Sequence, residues 1–259
     1  MRKPLREAGR TVWWGLVLYG GVQLVGAYLV QNATGAAALQ AVLSEFGAGR
    51  IAIAWSDPLA DPPTAKVIVR RALRGVGLGF GTAIALISLA VLTGGATVGL
   101  GAASIAQLLV GAMIAALLAV RDELLLRGVA LRAFEGATKV PTALAISGLV
   151  AAASHWGTTG SAPLETLSAG VLGVAFAALW IRDRGAWMAW GAHTAWTWTM
   201  GAATHGGIID VRASAGRWGG GDAGLEAGIA AGCVLVATAV VASIWAARGA
   251  RFATFADSR

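Results

Sequence analysis

The chain has 259 residues, of which 57% are apolar and 13% charged, and its formal net charge is +7. Its mean hydropathy of +0.70 excludes a soluble domain, because too few polar side chains remain to cover one core. The positive charge does not indicate nucleic-acid binding either, since the basic residues form short clusters between apolar runs. We therefore expect a protein whose partner is the lipid bilayer and not nucleic acid.

Apolar runs of membrane-spanning length follow one another along the chain. They lie near residues 11–30, 75–93, 102–134, 141–157, 164–181, 185–203 and 224–247, with a weaker run at 35–55. The weak run carries Glu45 and Arg50, so it fits a span, a re-entrant segment or an interfacial helix. This pattern predicts an all-α fold, a polytopic transmembrane helical bundle of about seven or eight spans.

The basic clusters indicate the orientation, because Lys and Arg accumulate in cytoplasmic loops. Eight crossings put the clusters at 2–10, 66–74, 182–184 and 248–259 on one side. We therefore expect an integral protein with both termini cytoplasmic, and the Ala- and Gly-rich composition suggests a bacterial inner (plasma) membrane. We expect one membrane domain with three parts: N-terminal helices at 1–101, a core at 102–203, and a loop with a C-terminal helix at 204–259.

A glycine-rich stretch, GVGLGFG, occupies residues 75–81 at the start of an apolar run. A nucleotide-binding loop would follow a strand, whereas this stretch follows a basic cluster. Small residues also allow helix backbones to approach closely in membranes. The stretch therefore predicts close helix packing.

Charged residues interrupt the third strong run, which contains RDELLLRG at 121–128. Each such side chain costs about 2.5 to 3.5 kcal/mol at the centre of a spanning helix, so intramembrane charges usually have a function. Helical geometry puts Glu123 and Arg127 on one face, four residues apart, with Asp122 one step around. A buried ion-pair network that merely orients helices is the alternative interpretation.

Two histidines lie in other apolar runs, His155 and His193. Counted at 1.5 Å per residue from the cytoplasmic ends, Glu123 lies at about 16 Å, His155 at about 21 Å and His193 at about 12 Å. Either histidine alone would be read as an interhelical hydrogen-bonding residue. Together with the carboxylates they predict a catalytic site shared by three core helices, able to activate water and polarise a carbonyl. Two histidines and a carboxylate are also a plausible zinc set.

At these residues the sequence resembles the CPBP family, which comprises the CAAX prenyl endopeptidases and bacteriocin-processing (Abi-type) membrane proteins. The first family motif, two acids followed after three positions by Arg-Gly, matches Asp122, Glu123, Arg127 and Gly128. The second ends in a histidine and is similar to His155, and the third is similar to His193 with Thr197. The resemblance covers residues 102–203. Three positions depart from the usual pattern: Asp122 replaces Glu, Ala151 replaces Phe, and Thr197 replaces Asn or Asp.

The resemblance implies a CAAX-protease-like intramembrane endopeptidase of the glutamate type. In that mechanism Asp122 or Glu123 takes a proton from water, His155 positions the water, and Arg127 holds the acids. His193 and Thr197 stabilise the carbonyl oxyanion. No cofactor is required, although zinc stays open as an alternative. The substrate is expected to be a membrane-anchored protein or peptide, cut at a C-terminal tail or a leader.

Two other functions remain open from the sequence. Asp122 and Thr197, as departures from the family pattern, favour a catalytically inactive membrane scaffold or immunity factor. An ion-coupled transporter would use the same buried charges as an ion path. Transporters usually carry interrupted spans in two related halves, and this sequence has no evident repeat of that kind.

Overall fold

Long helices make up most of the computed structural model, which describes residues 5–51, 53–56, 62–134, 139–159 and 163–256. The helices, in chain order, are α1 (Leu5–Leu29), α2 (Ala33–Arg50), α3 (Ala65–Leu92), α4 (Ile105–Asp122), α5 (Val129–Phe134), α6 (Val140–Thr159), α7 (Pro163–Asp183), α8 (Trp187–Trp198) and α9 (Ile229–Ala256). π-helical turns at Glu123–Gly128 and Thr199–Ala203 follow α4 and α8. The predicted all-α membrane bundle is confirmed. Arg2, Lys3 and Arg259 of the predicted cytoplasmic clusters lie outside the described residues.

Four of the described helices are by themselves long and apolar enough to cross a bilayer. Their crossing segments are Arg6–Leu29, Ala65–Leu92, Pro163–Asp183 and Ile229–Arg248. A fifth apolar segment, Val140–Trp156, is shorter. The weak run forms α2, which buries Gln40 and Ser44 and packs against α1 and α4. The predicted number of seven or eight spans is therefore approximate, while each predicted run does contain a helix.

The long run at 102–134 is not one continuous α-helix. Ser104 caps the N-terminus of α4, accepting a hydrogen bond from the Gln107 backbone while the Gln107 side chain bonds back to Ser104. Such a reciprocal capping box satisfies helix donors that have no partner within the helix. At the other end α4 continues into the π-helical turn and α5. The charged motif therefore lies in the π-helical turn between two α-helices.

A two-stranded antiparallel sheet, unexpected in an all-α chain, joins the loop after α3 to the loop after α8. β1 (Ala96–Leu100) pairs with β2 (Ile209–Ala213), with Val98 opposite Val211. Both strands carry β-branched residues, which favour extended backbone. The late segment predicted as an irregular loop thus contains a strand, followed by short 3₁₀ turns at Gly221–Ala223 and Leu225–Ala227.

The main hydrophobic core lies where α3, α7, α8 and α9 meet. α8 packs most closely against α3, because a Cβ on Gly75 or Gly79 would lie within about 2 Å of a backbone oxygen of α8. Two glycines of the stretch therefore serve the predicted helix packing. A Cβ on Gly77 or Gly81 would meet nothing within 4 Å, and these two glycines line an open groove instead. The close α3–α8 contact fixes the helix that carries His193.

Candidate active site

The two adjacent acids of the charged motif have different surroundings. Glu123 begins the π-helical turn and has 0% of its surface exposed. Asp122 is the last residue of α4 and lines a cavity of about 450 Å³. Neighbouring residues of a helix point in directions about 100° apart, so adjacent side chains can have different surroundings. π-helical turns are rare and are often found at functional sites.

Glu123 is held by partners on three elements. Its Oε1 accepts a hydrogen bond from Arg127 Nη1 and lies 3.0 Å from His193 Nδ1 on α8. Its Oε2 accepts a hydrogen bond of 2.8 Å from Trp180 Nε1 on α7. Gly128 makes room for Ile53 and for this indole, because a Cβ there would lie 2.7 Å from Ile53 Cγ2 and 3.2 Å from the Trp180 ring. Both carboxylate oxygens of Glu123 therefore have polar partners within the described residues.

Asp122 forms the second part of the charged network. Its Oδ1 accepts a hydrogen bond of 2.6 Å from Arg121 Nε, and its Oδ2 lies 3.7 Å from His193 Nε2. Arg121 in turn donates to Gln40 Oε1 at 2.7 Å and lies 4.9 Å from the centre of the Tyr19 ring. The two carboxylates are thus paired with two guanidinium groups. Buried charges need such oppositely charged partners in order to be stable.

His193 stands between the two acids. Its Nδ1 lies near Glu123 and 3.2 Å from Arg127 Nη1, while its Nε2 points to Asp122. The ring stacks on Phe176 with centroids 5.0 Å apart, and Phe176 also lies beneath the Arg127 guanidinium at 4.8 Å. This packing orients the imidazole from its face as well as from its edge.

The cavity collects five of the six predicted site residues. Its lining includes Asp122, Arg127, His155, His193 and Thr197. Glu123, the sixth, is buried behind this wall and is not in the lining. Side chains from the α4 region, α6 and α8 therefore meet around one space large enough for a peptide bond and water. The chemical roles assigned to these residues remain predictions.

His155 has a carboxylate partner that the sequence reasoning did not single out. Its Nε2 lies 3.1 Å from Glu165 Oε1 on α7. Glu226, on the 3₁₀ turn before α9, also lines the cavity, and burial raises the pKa of its carboxyl above the usual range although His155 opposes this. Glu165 lies at the start of an apolar run, and a charged residue inside such a run usually has a function, so the sequence did contain a signal for this residue. Tyr19, Gln40 and Trp180 carried no comparable signal.

The described residues contain no group of three or more His, Cys, Asp or Glu side chains arranged to hold a metal ion. In the cavity, His193 is flanked by Arg127 and the two acids, and His155 is paired with Glu165. A carboxylate, two imidazoles and a hydroxyl around one cavity provide groups for general base catalysis and for stabilising an oxyanion.

Residues 102–199 match the model of the family described as type II CAAX prenyl endopeptidase Rce1-like. The match begins just before α4 and ends just after α8, so it contains all six predicted site residues. Neither the curated proteins nor the solved structures gave a significant match to the chain. The resemblance identified from the three sequence motifs is therefore confirmed.

Proposed function

We propose that this chain, of which residues 102–199 match the model of the type II CAAX prenyl endopeptidase Rce1-like family, is an active intramembrane endopeptidase. The observation that carries the proposal is the shared cavity, in which Asp122, His155, His193 and Thr197 surround one space of about 450 Å³. Long apolar helices on either side of these elements support a site inside the bilayer. Members of a protease family with this arrangement are expected to hydrolyse a peptide bond.

Asp122 is the general base in this proposal. It lies in the cavity wall, whereas Glu123 is fully buried and engaged by Arg127, Trp180 and His193. The Asp122 carboxylate accepts a proton from water while the water oxygen bonds to the peptide carbonyl carbon. The protonated Asp122 then gives this proton to the leaving amide nitrogen as the C–N bond breaks. The products are a carboxylic acid and an amine.

His193 and Thr197 stabilise the oxyanion that forms on the carbonyl oxygen. They are four residues apart on α8 and both line the cavity. When His193 Nε2 carries a proton, this N–H lies on the side of the ring that faces Asp122 and is the donor to the oxyanion. Removing one donor of such a pair costs about 10²- to 10³-fold in kcat in other enzymes. Glu123 and Arg127 act as positioning residues for this imidazole.

His155 orients the attacking water. Its Nε2 faces Glu165, a contact that holds the ring in one orientation against the cavity. A carboxylate behind a functional histidine commonly sets the tautomer and the direction of the other ring nitrogen. His155 lines the cavity, so in this proposal its imidazole is the group that positions the water.

The substrate class and the cofactor requirement follow from the same site. We propose a membrane-anchored protein or peptide as substrate, cut at a C-terminal tail or a leader, in a bacterial plasma membrane. The proposed chemistry uses the side chains alone, with no metal. A site that depends on zinc would lose activity with a strong chelator and regain it on adding zinc, whereas this proposal expects no effect of either.

The experiment that tests the proposal uses purified protein in proteoliposomes. The probes are a farnesylated fluorogenic CAAX peptide and a panel of membrane-anchored reporter peptides with C-terminal tails or leaders. We expect cleavage of at least one probe by the wild-type chain and loss of cleavage in Asp122→Asn and His193→Ala. Cleavage that is unchanged in both variants overturns the assignment of the site.

An inactive scaffold is the second candidate, and one observation favours it. The Asp122 carboxylate is already paired with Arg121 Nε at 2.6 Å, and this ion pair competes with its use as a base. An inactive scaffold would cut no probe, and partner proteins recovered by affinity purification would be the same for wild type and Asp122→Asn. A transporter would instead show ion-dependent uptake in the same proteoliposomes.

A further inference from the structure

One face of α3 carries two different surfaces in succession. Its first part is basic and exposed, with Lys66, Arg70 and Arg74 spaced four residues apart. Because residues four apart lie above one another on a helix, these cations form one stripe about 12 Å long. Within the described residues, none of the three donates a hydrogen bond or forms an ion pair with another side chain. Arg71, on the neighbouring face, pairs with Asp183 instead.

The same face continues into an apolar groove. The groove encloses about 380 Å³, and α3 contributes Gly77, Leu78, Gly81 and Ala85 to it. Gly77 and Gly81 are its floor, because a Cβ on either would meet nothing within 4 Å. The opposite wall is α9, where Val241 lies in the lining with 67% of its surface exposed. An exposed apolar groove along a spanning helix faces hydrocarbon.

We propose that this face of α3 binds an anionic phospholipid, with the phosphate at Lys66, Arg70 and Arg74 and an acyl chain in the groove. The charges and the lengths both fit this occupant. The phosphate site ends at Arg74, and the about 16 Å of helix from Arg74 to Ala85 is close to half of the roughly 30 Å hydrocarbon core, which is the depth that one acyl chain occupies. Each Lys or Arg near the surface strengthens binding of anionic lipid by about fivefold. A zwitterionic lipid would gain less, since its own ammonium group offsets the phosphate.

The groove adjoins the candidate active site. Leu172, Phe176 and Trp196 line both the groove and the cavity that contains Asp122 and His193. Phe176 is also the ring on which His193 stacks. An acyl chain in the groove would therefore pack against the outer side of the residue that supports this histidine. The binding proposal itself does not depend on peptidase activity.

Native mass spectrometry of the detergent-purified chain tests the proposal. The probes are phosphatidylglycerol and phosphatidylcholine with identical acyl chains, added at equal concentration. We expect wild type to retain phosphatidylglycerol at least tenfold better. The triple variant Lys66→Gln, Arg70→Gln, Arg74→Gln should lose this preference. The matched control Arg6→Gln, Arg10→Gln removes exposed cations from α1 and should keep it.

The groove is tested by filling it. Gly81→Leu, and independently Gly77→Leu, should reduce retention of both lipids by about tenfold. The control Gly21→Leu adds the same side chain at an open position of α1 and should have no effect. Each variant is compared only after its size-exclusion profile and circular dichroism match wild type. Equal retention of the two lipids by wild type overturns the proposal. Normal lipid binding by both groove variants overturns it as well, and would leave the groove to a substrate segment.

Discussion

Glu123 Oε1 lies 3.0 Å from His193 Nδ1, although the two residues are 70 positions apart in the chain. The carboxylate is fully buried, and the opposite ring nitrogen of His193 lies 3.7 Å from Asp122 Oδ2. The imidazole is thus fixed by one acid and presented to another. Two acids that are neighbours in the sequence thus have different surroundings, and the proposed mechanism gives them different roles.

The first prediction contrasts the two acids. Asp122→Asn should abolish peptidase activity and lower the free energy of unfolding less than Glu123→Ala does, because Asn keeps the shape of the side chain and Arg121 retains its hydrogen bond to Gln40. Glu123→Ala should instead lower the free energy of unfolding by about 3 to 5 kcal/mol, since it leaves the buried Arg127 charge without its partner. Activity assays and thermal unfolding in detergent measure both effects. A large loss of stability in Asp122→Asn with full activity would reverse the assignment.

The second prediction concerns the indole that holds Glu123. Trp180→Phe removes the Nε1–H donor to Glu123 Oε2 and should lower the free energy of unfolding by about 1.5 to 3 kcal/mol, as expected for a hydrogen bond to a charged group. Trp187→Phe is the matched control, because its indole donates a longer bond of 3.3 Å to Ser56 Oγ. Chemical denaturation of the two variants provides the measurement. Equal losses in the free energy of unfolding would mean that the hydrogen bond to Glu123 does not stabilise the protein more than the bond to Ser56 does.

The third prediction tests the partner of His155. Glu165→Gln should reduce kcat by roughly tenfold with KM unchanged, because losing the carboxylate that fixes a functional histidine usually costs about 10- to 100-fold. Glu165→Asp keeps the charge and should restore part of the rate. Steady-state kinetics on whichever reporter peptide is cut would measure this. A changed KM with constant kcat would indicate that Glu165 contacts the substrate instead.

The fourth prediction concerns pH. Burial raises the pKa of the Glu226 carboxyl above its ordinary value of 4.5, with Glu165 acting in the same direction and His155 against it. The folded chain therefore favours the protonated form, so this contribution to stability is complete below pH 4.5 and is lost as pH rises through the raised value. Thermal unfolding from pH 4.5 upward should show this decline in wild type and a weaker one in Glu226→Gln.

The control for the pH experiment is Asp222→Asn, which removes an exposed acid four residues away in the same loop. It should keep the wild-type pH dependence. An identical pH dependence in wild type and Glu226→Gln would show that another group causes the decline.

The sequence alone predicted the fold class and the resemblance to the CAAX protease family. Hydrophobic runs long enough to cross a bilayer are a one-dimensional property, so every predicted run is helical in the structure. The three motifs were likewise visible, because charges and histidines are conspicuous in apolar segments. The pairing of β1 with β2 was not predictable from the sequence, because the two strands have only five residues each and lie more than 100 residues apart in the chain.

Only the tertiary structure decided which acid faces the cavity. Sequence spacing defines the angle between Asp122 and Glu123 on a helix, but the rotation of that helix depends on what packs around it. Trp180 and His193 draw Glu123 inward, while Arg121 and Gln40 hold the other side of the network. The pairing of His155 with Glu165 likewise depends on how α6 packs against α7. Local sequence specifies the relative directions of side chains on one helix, whereas packing between helices decides which side chains come into contact.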